Sequence, residues 1–243
     1  MAFTRRSFLA GFVSCPLCAA ARAEGAHWSY DDVQNWGSHD SASQACAIGG
    51  EQSPVNLTGA IKADIHAPAL SWKPQAFKLA NNGHTIQANV APGSFAAAET
   101  GVFELKQFHF HTPSEHAIDG ERAAMEAHFV HAGDHGDLLV LGALMQAGGG
   151  NEAFAALMAA APPTESEVEL KKPIDAEALL PKARHFLRYE GSLTTPPCSE
   201  VVNWYVFSAP VAVAADDIKT FAKLFPMNAR PLQQLHRRVL LTD

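Results

Sequence analysis

Blocks of like charge, heptad series and collagen-like repeats are all missing from the sequence, which excludes a polyelectrolyte tail, a coiled coil and a fibrous chain. Charged residues are few, 18% against 47% hydrophobic over 243 residues, a balance that fits a globular chain with a substantial core. Basic residues are outnumbered, 18 Lys+Arg against 25 Asp+Glu, for a formal net charge of −7. That acidity argues against nucleic acid or an anionic membrane as a partner and suits a small substrate. The glycine-richest spot, Gly148-Gly149-Gly150, lacks a following Gly-Lys-Ser/Thr, so it is no phosphate loop. Cysteine is sparse, with four in the chain.

The N-terminus reads as an export signal over 1–23. Arg5-Arg6 precedes a short apolar run ending near Ala20, and Ala21-Arg22-Ala23 offers the small-x-small pattern of a signal-peptidase site. The run falls short of the roughly 20 residues that a spanning helix needs, so no stable membrane anchor is expected. Paired arginines resemble a twin-arginine (Tat) signal, with a Sec signal as the alternative. Either implies a bacterial chain that is periplasmic or secreted. Removing this segment takes away Arg5, Arg6 and Arg22 and makes the chain three charges more negative. It also removes Cys15 and Cys18. A lipid attachment at Cys15 is disfavoured by the poor Phe12-Val13-Ser14 context and by Pro16. Cys46 and Cys198 remain, either paired in an oxidising compartment or left as two buried thiols.

Residues 24–243 contain no internal repeat or linker and read as one domain dominated by strands. Strand signals occur at Phe77–Leu79, Thr85–Val90, Phe103–His111, Met125–His131, Leu138–Met145 and Val201–Phe207, with Asn81-Asn82-Gly83 as a turn. Asn151 can cap a helix carrying Phe154, Leu157 and Met158, which Pro162-Pro163 stops; a second helix fits about 215–225, and Asp175–Leu180 one short turn.

Chemistry concentrates in two of the strands. The strand period of two puts Gln107, His109 and His111 on one face and Phe108 and Phe110 on the other. Glu126, His128 and Val130 likewise share a face. If the two runs pair, three imidazoles converge, and three histidines with one open position make a catalytic rather than a structural zinc site. The chain has 12 histidines, and His116, His131 and His135 are not expected as ligands. His109-x-His111-x-x-x-Glu115 also matches half of a cupin metal motif, but His128 lies in an apolar β-run without the Gly/Pro punctuation a cupin needs.

Phe108-His109-Phe110-His111, Ser114-Glu115-His116 and Glu126 through His131 resemble the α-class carbonic anhydrases. So do Gln52-Ser53-Pro54-Val55-Asn56, Asn82-Gly83-His84, Gly191 through Pro197 and Asn228-x-Arg230-Pro231, in family order over nearly all of 24–243. The short Thr112-Pro113-Ser114 connection is similar to the compact bacterial branch. The resemblance implies a large, twisted, mostly antiparallel sheet of about ten strands with short peripheral helices. It also implies one Zn2+ per chain, bound by His109, His111 and His128, and a Cys46–Cys198 disulfide. The implied activity is reversible hydration of CO2 to bicarbonate and a proton by zinc-bound hydroxide, in a monomer or homodimer.

Site roles follow from the same likeness. Gln107 and Glu126 share the ligand faces and are expected to accept ring N–H groups, Glu126 that of His128. Thr194 is expected to donate its hydroxyl proton to Glu115, a carboxylate that can only accept, and so to orient the attacking oxygen. His84 matches the proton-shuttle position, and histidine titrates in the range the step needs. Val130, Val140, Leu193, Thr195, Val202 and Trp204 would line the CO2 pocket, and Tyr30 and Asn82 would extend the water network.

Overall fold

The computed structural model describes residues 28–243. The expected export signal, with Cys15 and Cys18, lies outside these residues. Short helical turns over Tyr30–Asn35, Trp36–His39 and Ala42–Ile48 open the described chain. The strands β1 (Asn56–Leu57), β2 (Ile61–Lys62) and β3 (Ala69–Ser71) follow, all short. Next come a hairpin of β4 (Lys78–Asn81) and β5 (Ile86–Asn89), then β6 (Phe95–Ala98) and the long β7 (Gly101–His111). After the small β8 (Ala117–Ile118) and β9 (Glu121–Arg122) run β10 (Met125–Ala132) and β11 (Leu138–Ala147). The remaining strands are β12 (Ser166–Glu169), β13 (Phe186–Gly191), β14 (Val202–Val213) and β15 (Leu241–Thr242).

Twelve strands form the main sheet, in the order β12-β4-β5-β7-β10-β11-β14-β13-β15-β2, with β6 on β7 and β3 on β6. The resemblance implied about ten strands, and the count of twelve includes the two-residue strands β2 and β15. All pairings in this sheet are antiparallel except β11 with β14 and β15 with β2. The last of these pairs Leu241 with Ile61, 180 residues apart in the chain. The helices form as their caps suggest. Asn151 Oδ1 accepts the Phe154 N–H at 3.0 Å ahead of the helix Glu152–Ala160, which buries Phe154, Leu157 and Met158. Asp175 caps the single turn Ala176–Leu179, and the second helix spans Ala215–Leu224.

Two apolar clusters lie on opposite faces of the sheet. The larger takes Phe103, Leu105, Phe108, Phe110, Met125, Ala127 and Phe129, and the smaller takes Val140, Val202, Trp204 and Val206. Strict alternation along β7 would send Phe103 and Leu105 to the face of His109 and His111. A bulge prevents it: Val130 pairs with Gln107 but His131 with Leu105, so Lys106 is an extra residue. The extra residue inverts the parity, and all four apolar side chains reach one core while the polar face starts at Gln107.

Candidate metal centre

The register sets the site. His128 lies directly opposite His109, and Glu126 opposite His111, on the antiparallel pair β7–β10. The side chains of directly opposed strand residues are neighbours on one face. Ring centroids are 4.9 Å apart for His109 and His111, 5.4 Å for His109 and His128, and 4.5 Å for His111 and His128. One nitrogen from each ring falls within 4.8 Å of the other two.

The outer nitrogen of each ring faces an acceptor. His109 Nδ1 donates to Gln107 Oε1 at 2.8 Å, and His111 Nδ1 to the Asn228 carbonyl at 2.7 Å. His128 Nε2 lies 3.0 Å from Glu126 Oε1. Carbonyl and carboxylate oxygens can only accept, so Nδ1 of His109 and of His111 carry the protons, and the Glu126 carboxylate beside His128 Nε2 favours the proton there, although that contact is not aligned as a hydrogen bond. Lone pairs are left on Nε2 of His109, Nε2 of His111 and Nδ1 of His128. Burial, reinforced by the neighbouring imidazoles, pushes His109 well below the ordinary histidine pKa, and burial lowers His111 as well. His111 Nε2 is buried without a hydrogen-bond partner. An orphaned lone pair among neutral imidazoles is the donor set that a divalent zinc ion takes, and the residues fit it. Gln107 and Glu126 are where parity placed them.

Glu126 is itself clamped. Its Oε2 accepts the His116 backbone N–H and its Oε1 the His116 ring Nδ1, each at 2.8 Å, while His116 Nε2 meets Tyr189 Oη at 2.6 Å. Tyr189 donates onward to Ser53 Oγ at 2.8 Å. Burial alone would raise the Glu126 carboxyl, but the imidazoles of His116 and His128 outweigh it and hold the group well below the usual range. His116, Glu126 and His128 thus form a second His/Glu cluster whose atoms serve one another. The anchoring role of His116 was missed from sequence. Gly142 faces His128 across β10–β11, and a Cβ there would lie 2.8 Å from Glu126 Oε1, so glycine makes room for the carboxylate.

Glu115 is fully buried. Its Oε1 accepts the Arg230 backbone N–H at 2.7 Å. Its Oε2 has no hydrogen-bond partner and lies 3.5 Å from His111 Nε2 and 3.8 Å from His128 Nδ1. The expected bond from the Thr194 hydroxyl to Glu115 is therefore not formed in this structure, because one oxygen is taken by the backbone and the other is turned to the imidazoles. Thr194 is buried on the loop between β13 and β14. Cys46 and Cys198 form a disulfide with Cα atoms 5.1 Å apart, and Cys198 N–H donates to Thr195 O at 2.9 Å.

Val140, Val202 and Trp204 are buried together, with Val130 and Leu193 packed against them, and the Trp204 ring meets His128 at 4.8 Å. An apolar wall therefore abuts the ligands. Tyr30 has its phenol pKa raised well above normal by burial and by the charge of Glu115. Asn82 is exposed, and its Oδ1 caps the turn by accepting the His84 and Thr85 N–H groups. His84 is half-buried, its ring stacked on Trp28 with centroids 3.8 Å apart and planes within 9°. Trp28 was not singled out from sequence. Neither was Asn228, which also takes the Thr112 N–H and donates to the His84 and Phe110 carbonyls. The Asn228-x-Arg230 pair inside the C-terminal motif was the available signal.

Residues 31–243 match the family model of the eukaryotic-type carbonic anhydrases. The chain belongs to the α-carbonic anhydrase family. The carbonic anhydrase of Nostoc sp. is 39% identical over 241 residues, covering 95% of this chain and 90% of its own length. That of Neisseria gonorrhoeae is 39% identical over 228 residues, with 92% and 90% covered. Among solved structures, the α-carbonic anhydrase of Thermovibrio ammonificans in complex with the inhibitor sulfanilamide superimposes with a TM-score of 0.87 at 37% identity. That match covers 89% of this chain and 99% of the other. Membership of this carbonic anhydrase family implies an enzyme acting on CO2 and bicarbonate. The disulfide belongs to a non-reducing, exported compartment. Among the described residues no helix is long and apolar enough to cross a membrane.

Proposed function

We propose that the chain holds one zinc ion through His109, His111 and His128 and catalyses the reversible hydration of CO2 to bicarbonate and a proton. The observation that carries this reading is the convergence of the three imidazoles, with the outer nitrogens of His109 and His111 hydrogen-bonded to acceptors and that of His128 3.0 Å from the Glu126 carboxylate. Bound zinc supplies Lewis acidity for activating water, an effect for which carbonic anhydrases are the reference case.

The chain's own groups do the rest. Gln107, Asn228 and Glu126 fix ring orientation and tautomer. The apolar wall of Val130, Val140, Leu193, Val202 and Trp204 excludes water and accepts apolar CO2, with Thr195 at its edge. Glu115 can only accept, so a Thr194 hydroxyl that turned to its partnerless Oε2 would keep its lone pairs for the reacting oxygen. His84 then moves the released proton outward, its ring resting on Trp28 at the outer position, while Tyr30 and Asn82 border the water-filled approach.

The protein acts in the periplasm or outside the cell, exported through the Tat route by Arg5-Arg6. Replacing both arginines by lysine blocks export if the route is Tat and leaves it intact if it is Sec. The function itself is tested by CO2 hydration with and without a zinc chelator, alongside metal content. Stoichiometric zinc with hydration lost on chelation is the expected result, and His128→Ala abolishes both. No hydration by the zinc-loaded protein makes it a binding protein on this fold.

A further inference from the structure

Glu115 receives its one hydrogen bond from a backbone N–H in a segment with no regular structure, between the helix ending at Leu224 and β15. A loop amide cannot hold a buried carboxylate in place unless something holds the loop. Asn228 does so on one side, accepting the His111 ring and the Thr112 N–H and donating to the carbonyls of His84 and Phe110. On the other side stands the Arg230 side chain, 2% exposed. Its guanidinium donates to Gln52 Oε1 at 2.9 Å, Ser53 O at 2.7 Å and Cys46 O at 3.1 Å. It also lies over the Trp36 ring, 5.7 Å from the centroid. None of the three acceptors is charged. Burial lowers the Arg230 pKa to about 10, a desolvation cost that the negative charge of Glu115 offsets only in part. A buried cation held by neutral carbonyls is a poor way to gain stability and a good way to fix one backbone position.

We infer that the Arg230 side chain is a positioning residue for Glu115, bracing the 228–230 backbone against the Cys46–Ser53 segment so that its N–H holds the carboxylate toward the metal ligands. Through this brace an N-terminal segment that contributes nothing to the ligand set reaches the catalytic carboxylate. The role in turnover rests on the carbonic anhydrase reading, whereas the coupling itself does not.

Two readouts separate them. Arg230→Met keeps most of the side-chain length and removes all three donors. In the metal-free protein, amide hydrogen exchange at residue 230, taken relative to Phe129 in the sheet, is expected to speed up about tenfold or more. In the zinc-loaded protein kcat/KM for CO2 is expected to fall at least about tenfold with zinc content unchanged, the scale of loss for outer partners of a metal site. Arg230→Lys restores part of both, and Gln52→Leu, which deletes one acceptor, falls between. A folded Arg230→Met protein with wild-type exchange at residue 230 and wild-type kcat/KM overturns the inference, even if its Tm is lower. Should Arg230→Met not fold, wild-type exchange at residue 230 in both Arg230→Lys and Gln52→Leu overturns it equally. If the wild-type protein hydrates no CO2, the functional reading falls while the exchange experiment still decides the coupling.

Discussion

Adding a single methyl group at Gly142 probes how tightly the ligand support is built. A Cβ there would stand 2.8 Å from Glu126 Oε1 and 3.2 and 3.4 Å from the two Val206 methyls. The valine can yield a few tenths of an ångström, but the carboxylate is held by two bonds from His116 and by His128. Moving it weakens charged hydrogen bonds worth about 1.5–3 kcal/mol each. Overpacking adds about 1–3 kcal/mol, and the smaller backbone entropy of alanine in the unfolded chain returns only about 0.4–1 kcal/mol. The expected result for Gly142→Ala is a stability loss of about 2–4 kcal/mol in denaturant titrations. Zinc affinity, measured by chelator competition, falls about 10–100-fold because the His128 ring loses its orientation. Val206→Ala in the same chain does not rescue zinc affinity, since the carboxylate contact decides. Wild-type stability and zinc affinity in Gly142→Ala would refute the claim that the Glu126 carboxylate is immobile.

Replacing His84 by alanine is expected to lower kcat in weak buffer while leaving kcat/KM for CO2 nearly unchanged, with imidazole restoring much of the loss; equal losses in both constants would make His84 structural. Cys46 and Cys198 close a loop of 152 residues, so removing both costs up to roughly 5 kcal/mol in the chain-entropy picture, read from denaturation midpoints. Two titratable thiols in the native exported protein would contradict the pairing. Burial pushes His131, stacked on Trp72 with its Nδ1 donating to Leu139 O, down to about 4. The unfolded chain binds this proton more readily, so between pH 6.5 and 4 its protonation withdraws about 3 kcal/mol of stability, and His131→Phe should flatten the acid limb of the stability profile in that window.

The histidine triad was legible because its strand faces are written in parity. His109 and His111 sit two apart, His128 sits two from Glu126, and a period of two needs no tertiary information. The helix after Asn151 was legible for the same local reason. What escaped depends on contacts far apart in the chain. His116 shows its role only against Tyr189, Asn228 only against His111, and Arg230 only against Cys46, Gln52 and Ser53. The bulge at Lys106 left a trace, since the apolar positions change from odd (Phe103, Leu105) to even (Phe108, Phe110) across Lys106-Gln107, but only the partner strand shows which residue is extra. The turns over 30–48 are too short to carry a periodic signal. The Thr194–Glu115 bond was expected from the resemblance alone, and the carboxylate faces elsewhere.

The closing of the sheet by Leu241 beside Ile61 has a consequence for how the molecule comes into being on the ribosome. The strands β7, β10 and β11 follow one another closely and pair as an antiparallel meander, so the three imidazoles can meet once about 150 residues have emerged. After that point two helices and the antiparallel pair β13–β14 are still local, but the joins that complete the sheet are not. The parallel pair β11–β14 must wait for the long connection between its strands, and the edge strand β2 stays unpaired until β15 has been made. A nascent chain can therefore present its metal ligands long before it has a pocket, a disulfide or a held Glu115. Pairing of Leu241–Thr242 with Ile61–Lys62 is the join that spans the greatest length of chain in the sheet.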